Sequence, residues 1–257
     1  MINNKEDYLH ALIESYRIFA SDRDNITFDY QGNDKEFSGS NDDYIKDKIS
    51  LFDKQNAGKY SFPNPHGGGT AYMNAVDENG LGISLIQSNF YGIGSRIGVG
   101  KYGFFLHNRG CGFNLIKDHP NSLGPNKKPL HTLSPTIWSK DGSLDFISGT
   151  RGGRYQPQLL AQTILPYILE ESSFEEVMKK PRWTIEYFGS DTKSNIKFEF
   201  LNESELSNLE DKGHNISIEN KLIGGYGPVS TIYKNSDGNF IGVPDIRVGT
   251  EKAFNSS

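Results

Sequence analysis

An α+β fold built on antiparallel sheets is predicted by two observations. Three dipeptides, Asn79-Gly80, Asp141-Gly142 and Asp237-Gly238, each separate runs rich in β-branched and aromatic residues, the pattern of tight hairpin turns. Amphipathic helical spacing recurs before and between these hairpins, which points to antiparallel layers and not to parallel βαβ crossovers. The 257 residues suffice for one large domain or two small ones with a substantial core.

The elements follow in order. Leu9, Leu12, Ile13, Tyr16 and Phe19 recur at helical spacing in "DYLHALIESYRIFASDRD", so a helix opens the chain. From Asn25 to about Pro65 the text is polar and acidic, with a short helical piece at "DDYIKDKISLF". "GKYSFPNPHGGG" is rich in turn formers and reads as an exposed connection, with His66 a loop residue. "TAYMNAVDENGLGISLIQS" is the first hairpin and "PTIWSKDGSLDFIS" the second. "QPQLLAQTILPYILEE" is the most apolar helix, which Pro166 should bend or shorten. "FEEVMKKP" is a short helix stopped by Pro181, and "ESELSNLEDKGHN" a helix ending at Gly213, with His214 at its exit and the strand "ISIEN" after it. "GPVSTIYKNSDGNFIGVPD" is the last hairpin, and no internal repeat is visible.

Composition excludes several functions. The net charge of −5 and the lack of a basic aromatic stripe argue against nucleic acid as a partner. No run of about 18 apolar residues exists to span a membrane. "MINNKEDYLH" lacks the basic and apolar segments of a signal peptide, and the compartment stays open. Neither a clustered His/Cys metal site nor a Walker A loop occurs, so no metal or cofactor is expected. The single cysteine, Cys111, has no histidine placed beside it by sequence and reads as a small buried residue, not a nucleophile.

The segment "HGGGTAYMNAV" carries the chemistry. A threonine hydroxyl is a weak nucleophile until a base takes its proton, and a threonine's own α-amine serves once it heads a chain. A free α-amine has a pKa of about 7.7–8.0, suited to general base work. Thr70 is interior, so this chemistry requires the Gly69–Thr70 bond to break first. Glycines before it permit unusual backbone conformations and leave the Gly69 carbonyl unshielded. Taken alone, Gly67, Gly68 and Gly69 read as a plain loop entering a strand.

The wider sequence resembles the γ-glutamyltransferases (γ-glutamyl transpeptidases, glutathione hydrolases), a family of N-terminal-nucleophile hydrolases. The resemblance rests on "TAYMNAVDENGLGISLIQS", "YGIGSRIGVGKYGFFLHNRGCGF", "HPNSLGPNKKPLHTLSPTI" and "DGSLDFISGTRGG". It extends to "KKPRW", "LEDKGHNISIE", "GVPDIRVGT" and, before the threonine, "LIESYRIFASDRD". It implies an αββα sandwich of two antiparallel sheets, incomplete in this chain. It further implies that residues 1–69 are the tail of a large-subunit region and residues 70–257 a small catalytic subunit.

By resemblance, Thr70 is the nucleophile of both self-cleavage and catalysis, with Gly69 and Thr70 forming the cleavage site. Ser88 falls at a second hydroxyl position beside it, although a strand-end serine is also an ordinary turn residue. Gly152 and Gly153 match a Gly-Gly pair whose N–H groups hold an oxyanion; unaided, they read as a turn. His131 and Thr132 stand where the family has two serines on the substrate carboxylate, and Thr132 keeps a hydroxyl. Asn89 stands near a family asparagine, and Arg109 at a substrate-facing position otherwise Glu or Gln. Arg151 and Arg154 flank the glycines, as anion attractors or solvated surface groups. The family's acidic clamp for the donor ammonium is replaced by Gly112 in "RGCGF". The implied substrate is a γ-glutamyl or related amide such as glutathione. The alternatives are a cephalosporin- or glutaryl-type acylase and an inactive chain that serves as an assembly partner. A companion large-subunit region is expected, since it supplies the family's arginine for the donor carboxylate.

Overall fold

The first hairpin carries the threonine. In a computed structural model describing residues 5–20, 22–23, 27, 29, 41–60, 68–186 and 194–255, β1 (Gly68–Val76) pairs antiparallel with β2 (Gly82–Tyr91). Thr70 faces Ser88, and a register shift separates Gly68 from Thr70. His66 and Gly67 lie outside the described residues. Asp77 Oδ1 accepts the N–H groups of Asn79 and Leu81, and Gly80 takes φ +83°. Only Gly80 is left-handed, so this is a type I turn closed by a glycine bulge. The turn at 235–239 repeats the design around Asn235 Oδ1 and Gly238 at φ +86°. At Asp141-Gly142 both residues have positive φ, 51° and 78°, as a two-residue type I′ turn demands.

A second, four-stranded sheet has the order β3 (Thr136–Lys140), β4 (Ser143–Thr150), β8 (Val229–Lys234), β9 (Phe240–Val243), all antiparallel. The hairpin stacks on it. The Tyr72 ring occupies the space a side chain at Gly149 would need, as close as 2.1 Å from a Cβ built there. Ile147 Cδ1 does the same at Gly82, 2.5 Å from a built Cβ. Asn74 Nδ2 donates to Ser230 O at 3.1 Å, tying the layers together. Helices α3 (Gln156–Glu170) and α4 (Phe174–Lys179) cover the other face. There Phe146, Leu160, Ile164, Phe174, Met178, Val229 and Val243 form one core. The result is a helix layer on two sheets. The outer face of the hairpin stays uncovered: Met73, Ile83 and Leu85 are 54%, 58% and 47% exposed.

Pro166 does not shorten α3, which continues to Glu170 and stops where Glu171 turns left-handed at φ 56°. Helix α4 begins with a reciprocal cap between Ser173 and Glu176 and ends before Pro181. A third sheet has the order β5 (Trp183–Glu186), β6 (Asn195–Phe198), β7 (Asn215–Ile218). Here one local departure from the antiparallel expectation appears, because β6 and β7 run parallel. Helix α5 (Glu203–Asp211) makes the crossover that a parallel pair requires. Helix α1 (Lys5–Ala20) packs against this sheet through Ile13, in a core with Trp183, Ile185, Ile196, Phe198 and Leu209. Helix α2 (Asp42–Ile49) is capped by Asn41, whose side chain accepts from Asp43 N–H at 2.9 Å.

His214, read from sequence as a helix-exit residue, is buried against α1. His10 Nδ1 lies 2.8 Å from His214 Nε2, and His10 Nε2 lies 2.8 Å from the Asp53 carbonyl. The carbonyl accepts from His10 Nε2–H, so His10 Nδ1 is the acceptor and His214 donates through Nε2. Burial, then the charges of His10, Arg17 and Lys212, push the His214 pKa from 6.5 down to about 3. A histidine held neutral in the fold binds protons more readily when unfolded. Its contribution is therefore full above pH 6.5 and lost as pH falls from there toward about 3. The melting temperature is expected to fall across that interval, with a shallower slope in His214→Gln; equal slopes in thermal scans would remove His214 as the cause.

Candidate active site

Strand pairing places two hydroxyls together. Thr70 Oγ1 donates to Ser88 Oγ at 3.1 Å, across the antiparallel ladder. Ser88 Oγ also accepts the Phe90 N–H at 3.1 Å. Phe90 has φ +76°, an outlier for a bulky residue and a local strain held by its surroundings. Asn108 supplies part of that hold. Its Oδ1 accepts Tyr91 N–H at 2.9 Å, and its Nδ2 donates to the carbonyls of Tyr91 and Gly94 at 3.3 and 3.1 Å.

The residue before the threonine has no room for a side chain. A Cβ built on Gly69 would lie 2.2 Å from the Gly92 carbonyl oxygen. Here glycine is required by close approach and not by a positive φ. The carbonyl of Gly69 thus belongs to a residue packed on one side by backbone.

The Gly152-Gly153 pair follows β4 directly. The two residues take φ +125° and +55°, and a short 3-10 turn, Gly153–Tyr155, then leads into α3. Among the described residues, no backbone carbonyl accepts the N–H of either glycine. Gly82 lies over Ile147 and Tyr72 over Gly149, so moving along β1 toward Thr70 matches moving along β4 toward Gly152. The nucleophile candidate and the glycine turn therefore emerge at the same end of the stacked sheets.

A third group lies beyond Phe90. The Arg109 guanidinium sits 4.9 Å from the centre of the Phe90 ring. Its Nη1 donates to Thr132 Oγ1 at 3.3 Å, and Thr132 is buried. His131 is anchored by its N–H on Thr27 O at 2.8 Å. Burial and the charge of Arg109, helped by Arg23 and Lys128, lower the His131 pKa below 6.5, so the ring is neutral at physiological pH. His131, Thr132 and Lys128 line a cavity of about 650 Å³, which Tyr16 and Phe19 of α1 also line. That size suits a small-molecule ligand.

The structure thus joins Thr70, Ser88, Arg109 and Thr132 through Phe90, a residue that sequence reasoning missed. Only the register and the positive φ reveal it. Asn89 is placed differently: its side chain leaves β2 on the face opposite Ser88, and its carbonyl accepts Asn108 N–H at 3.1 Å. Gly112 offers no side chain, and a Cβ there would meet Leu130 O at 3.4 Å and Phe90 Cζ at 3.5 Å. Cys111 is exposed and not buried as its composition class implied, because it sits on the surface 3-10 turn Arg109–Gly112. The Arg154 carbonyl accepts from Tyr16 and Arg23, which fixes its backbone beside the glycines.

Comparison with known proteins gives a consistent result. The family model for gamma-glutamyltranspeptidase matches residues 1–254. The glutathione hydrolase-like YwrD proenzyme of Bacillus subtilis is 29% identical over 230 residues, covering 87% of this chain and 42% of the relative. The oxamate amidohydrolase proenzyme of Klebsiella pneumoniae is 30% identical over 190 residues, covering 72% and 36%. The crystal structure of cephalosporin acylase from Bacillus halodurans superposes with a TM-score of 0.81 at 23% identity, over 100% of this chain and 46% of that one. The chain therefore spans less than half the length of these relatives.

Proposed function

Because the chain belongs to the γ-glutamyltranspeptidase family, we propose that it is the nucleophile-bearing part of a threonine amidase that cleaves itself at Gly69–Thr70. The Thr70 Oγ adds to the Gly69 carbonyl carbon, the peptide C–N bond breaks, and an ester with a free Thr70 α-amine results. Water splits the ester, leaving a Gly69 carboxylate and an N-terminal threonine. That amine then takes the Oγ proton as Oγ attacks a substrate amide, and the proton passes to the departing amine. Water or an amine acceptor resolves the acyl-enzyme. The single observation carrying this reading is the Thr70–Ser88 hydroxyl pair at 3.1 Å, beside a glycine that tolerates no side chain.

Gly152 and Gly153 are the proposed oxyanion donors, and Thr132 and His131 substrate contacts. Residues 1–69 are the tail of the large-subunit region and residues 70–257 the small catalytic subunit. A companion portion of that region covers the apolar outer face of the β1–β2 hairpin, an arrangement supported by the greater length of the relatives. The donor is a γ-glutamyl or related side-chain amide. A second reading, acylase action on amides lacking an α-ammonium, is favoured by Gly112, where no acid stands to pair with such a group.

Denaturing mass spectrometry tests the proposal. Two pieces meeting at Gly69–Thr70 are expected, and the piece headed by Thr70 should gain the acyl mass when mixed with a turned-over amide. A single uncleaved chain in protein that turns over substrate would refute it.

A further inference from the structure

Arg109 is a cation held in place without an anion among the described residues. Its Nη1 is engaged by Thr132 and its face by the Phe90 ring, yet Nη2 is buried and meets no acceptor among the described residues. A guanidinium presents planar paired donors that match a carboxylate, and a buried donor left unmet is costly. Among the described residues no acid balances it; burial is what lowers its pKa, with no carboxylate opposing. The charges acting on neighbouring His131 are those of Arg109, Arg23 and Lys128, all positive.

Position gives this cation a use. The Phe90 ring under Arg109 belongs to the residue whose N–H binds Ser88 Oγ, the partner of Thr70. The same ring borders Gly112, 3.5 Å from a Cβ built there. A ligand reaching from Thr70 past Phe90 therefore meets a guanidinium and a buried hydroxyl on one side and a bare glycine on the other. An ammonium group beside Arg109 would face a cation, and the acid that lines the neighbouring cavity, Asp29, is engaged by the Lys128 N–H.

We propose that Arg109, with Thr132, is the carboxylate clamp of the acyl-donor subsite, so that the chain favours monoamides of short dicarboxylic acids over donors bearing an α-ammonium. This rests on Thr70 as the acylated residue and adds the class of acyl group it receives. The substrate set thereby shifts from γ-glutamyl toward glutaryl-type amides.

The test uses glutaryl-p-nitroanilide, L-γ-glutamyl-p-nitroanilide and glutarate, with wild-type, Arg109→Gln, Arg109→Lys and Arg109→Glu proteins whose folding is checked by circular dichroism. Wild type is expected to show the lower KM for the glutaryl anilide and to bind glutarate in calorimetry. Arg109→Gln should raise that KM and the glutarate Kd by about 10- to 100-fold, the scale of a lost charged hydrogen bond, with kcat changed far less. Arg109→Lys should recover part of the affinity, and Arg109→Glu should turn the preference toward the γ-glutamyl anilide. Glutarate affinity within twofold of wild type in Arg109→Gln, or no glutarate binding to wild type, overturns the clamp. If glutarate binding depends on Arg109 while neither anilide is cleaved, the clamp stands and the Thr70 reading falls.

Discussion

Thr70→Ala is expected to yield one uncleaved polypeptide of 28.7 kDa with no measurable amide turnover. The hydroxyl is proposed to act twice, first on Gly69 and then on substrate, and alanine removes it from both steps. Loss of a covalent nucleophile typically costs roughly 10⁶-fold in kcat where the rest of the site survives. The fold itself should tolerate the change. Thr70 gives one hydrogen bond to Ser88, and that serine keeps its second partner in Phe90 N–H. Thr70→Ser is the companion experiment, since it keeps the oxygen and removes only the β-methyl. It should process and turn over, more slowly, because the hydroxyl gains rotational freedom. Mass spectrometry and anilide hydrolysis read both variants. Scission or wild-type turnover in Thr70→Ala would move the nucleophile elsewhere.

The parts of the fold readable from sequence are those governed by local chemistry. Asp141-Gly142 announces its turn because two left-handed residues in succession admit few side chains. Helix α1 is visible because a 3.6-residue period needs only one apolar face. The same logic fails at β6 and β7, where strand direction depends on how α5 crosses over, a long-range property. In the site, Thr70 and Ser88 are readable through family resemblance, but their contact is a matter of register 18 positions apart. Phe90 carries no local mark of its positive φ, and the Asn108 side chain that pins the loop looks like any polar loop residue. Arg109 was legible as a departure from pattern. Its buried, unmatched Nη2 appears only when Phe90 and Thr132 are packed against it.

The terminal Asp-x-Arg segment has the second largest expected effect. Asp245 accepts Arg182 Nη1 at 2.5 Å, Val229 N–H at 2.8 Å and Arg247 N–H at 3.0 Å, all out of water. Glu199 takes the second arginine, with Arg247 Nε at 2.7 Å, and the N–H groups of Arg182 and Ile223 at 2.8 Å each. Burial alone would raise the Asp245 pKa, but Arg182, the two backbone donors and Arg247 together hold it below 3.8. Its stabilisation is therefore present above pH 3.8 and lost as pH falls through the lower folded-state value. Asp245→Ala leaves Arg182 charged and buried, a change that costs about 3–5 kcal/mol. At about 2–4 °C per kcal/mol for a chain of this size, the melting temperature should drop by roughly 6–20 °C.

This network also reaches the glycine turn. Arg182 Nη1 donates to the Gly227 carbonyl at 3.1 Å, and Thr150 Oγ1 donates to the same oxygen at 3.0 Å, two residues before Gly152. Gly227 packs so tightly that a Cβ there would fall 2.0 Å from the Arg151 carbonyl. Freed of Asp245, Arg182 is expected to release that carbonyl, and the Gly152-Gly153 turn, proposed as the oxyanion donor, to lose its position. The double variant Arg182→Met/Asp245→Leu separates the two consequences. Replacing both partners removes the stranded Arg182 charge, so the melting temperature should return in part; Val229 N–H and Arg247, which also bond Asp245, still lose their acceptor. Turnover should stay low, because methionine cannot donate to Gly227. Recovery of both quantities together would show that the pair stabilises the chain without positioning the turn.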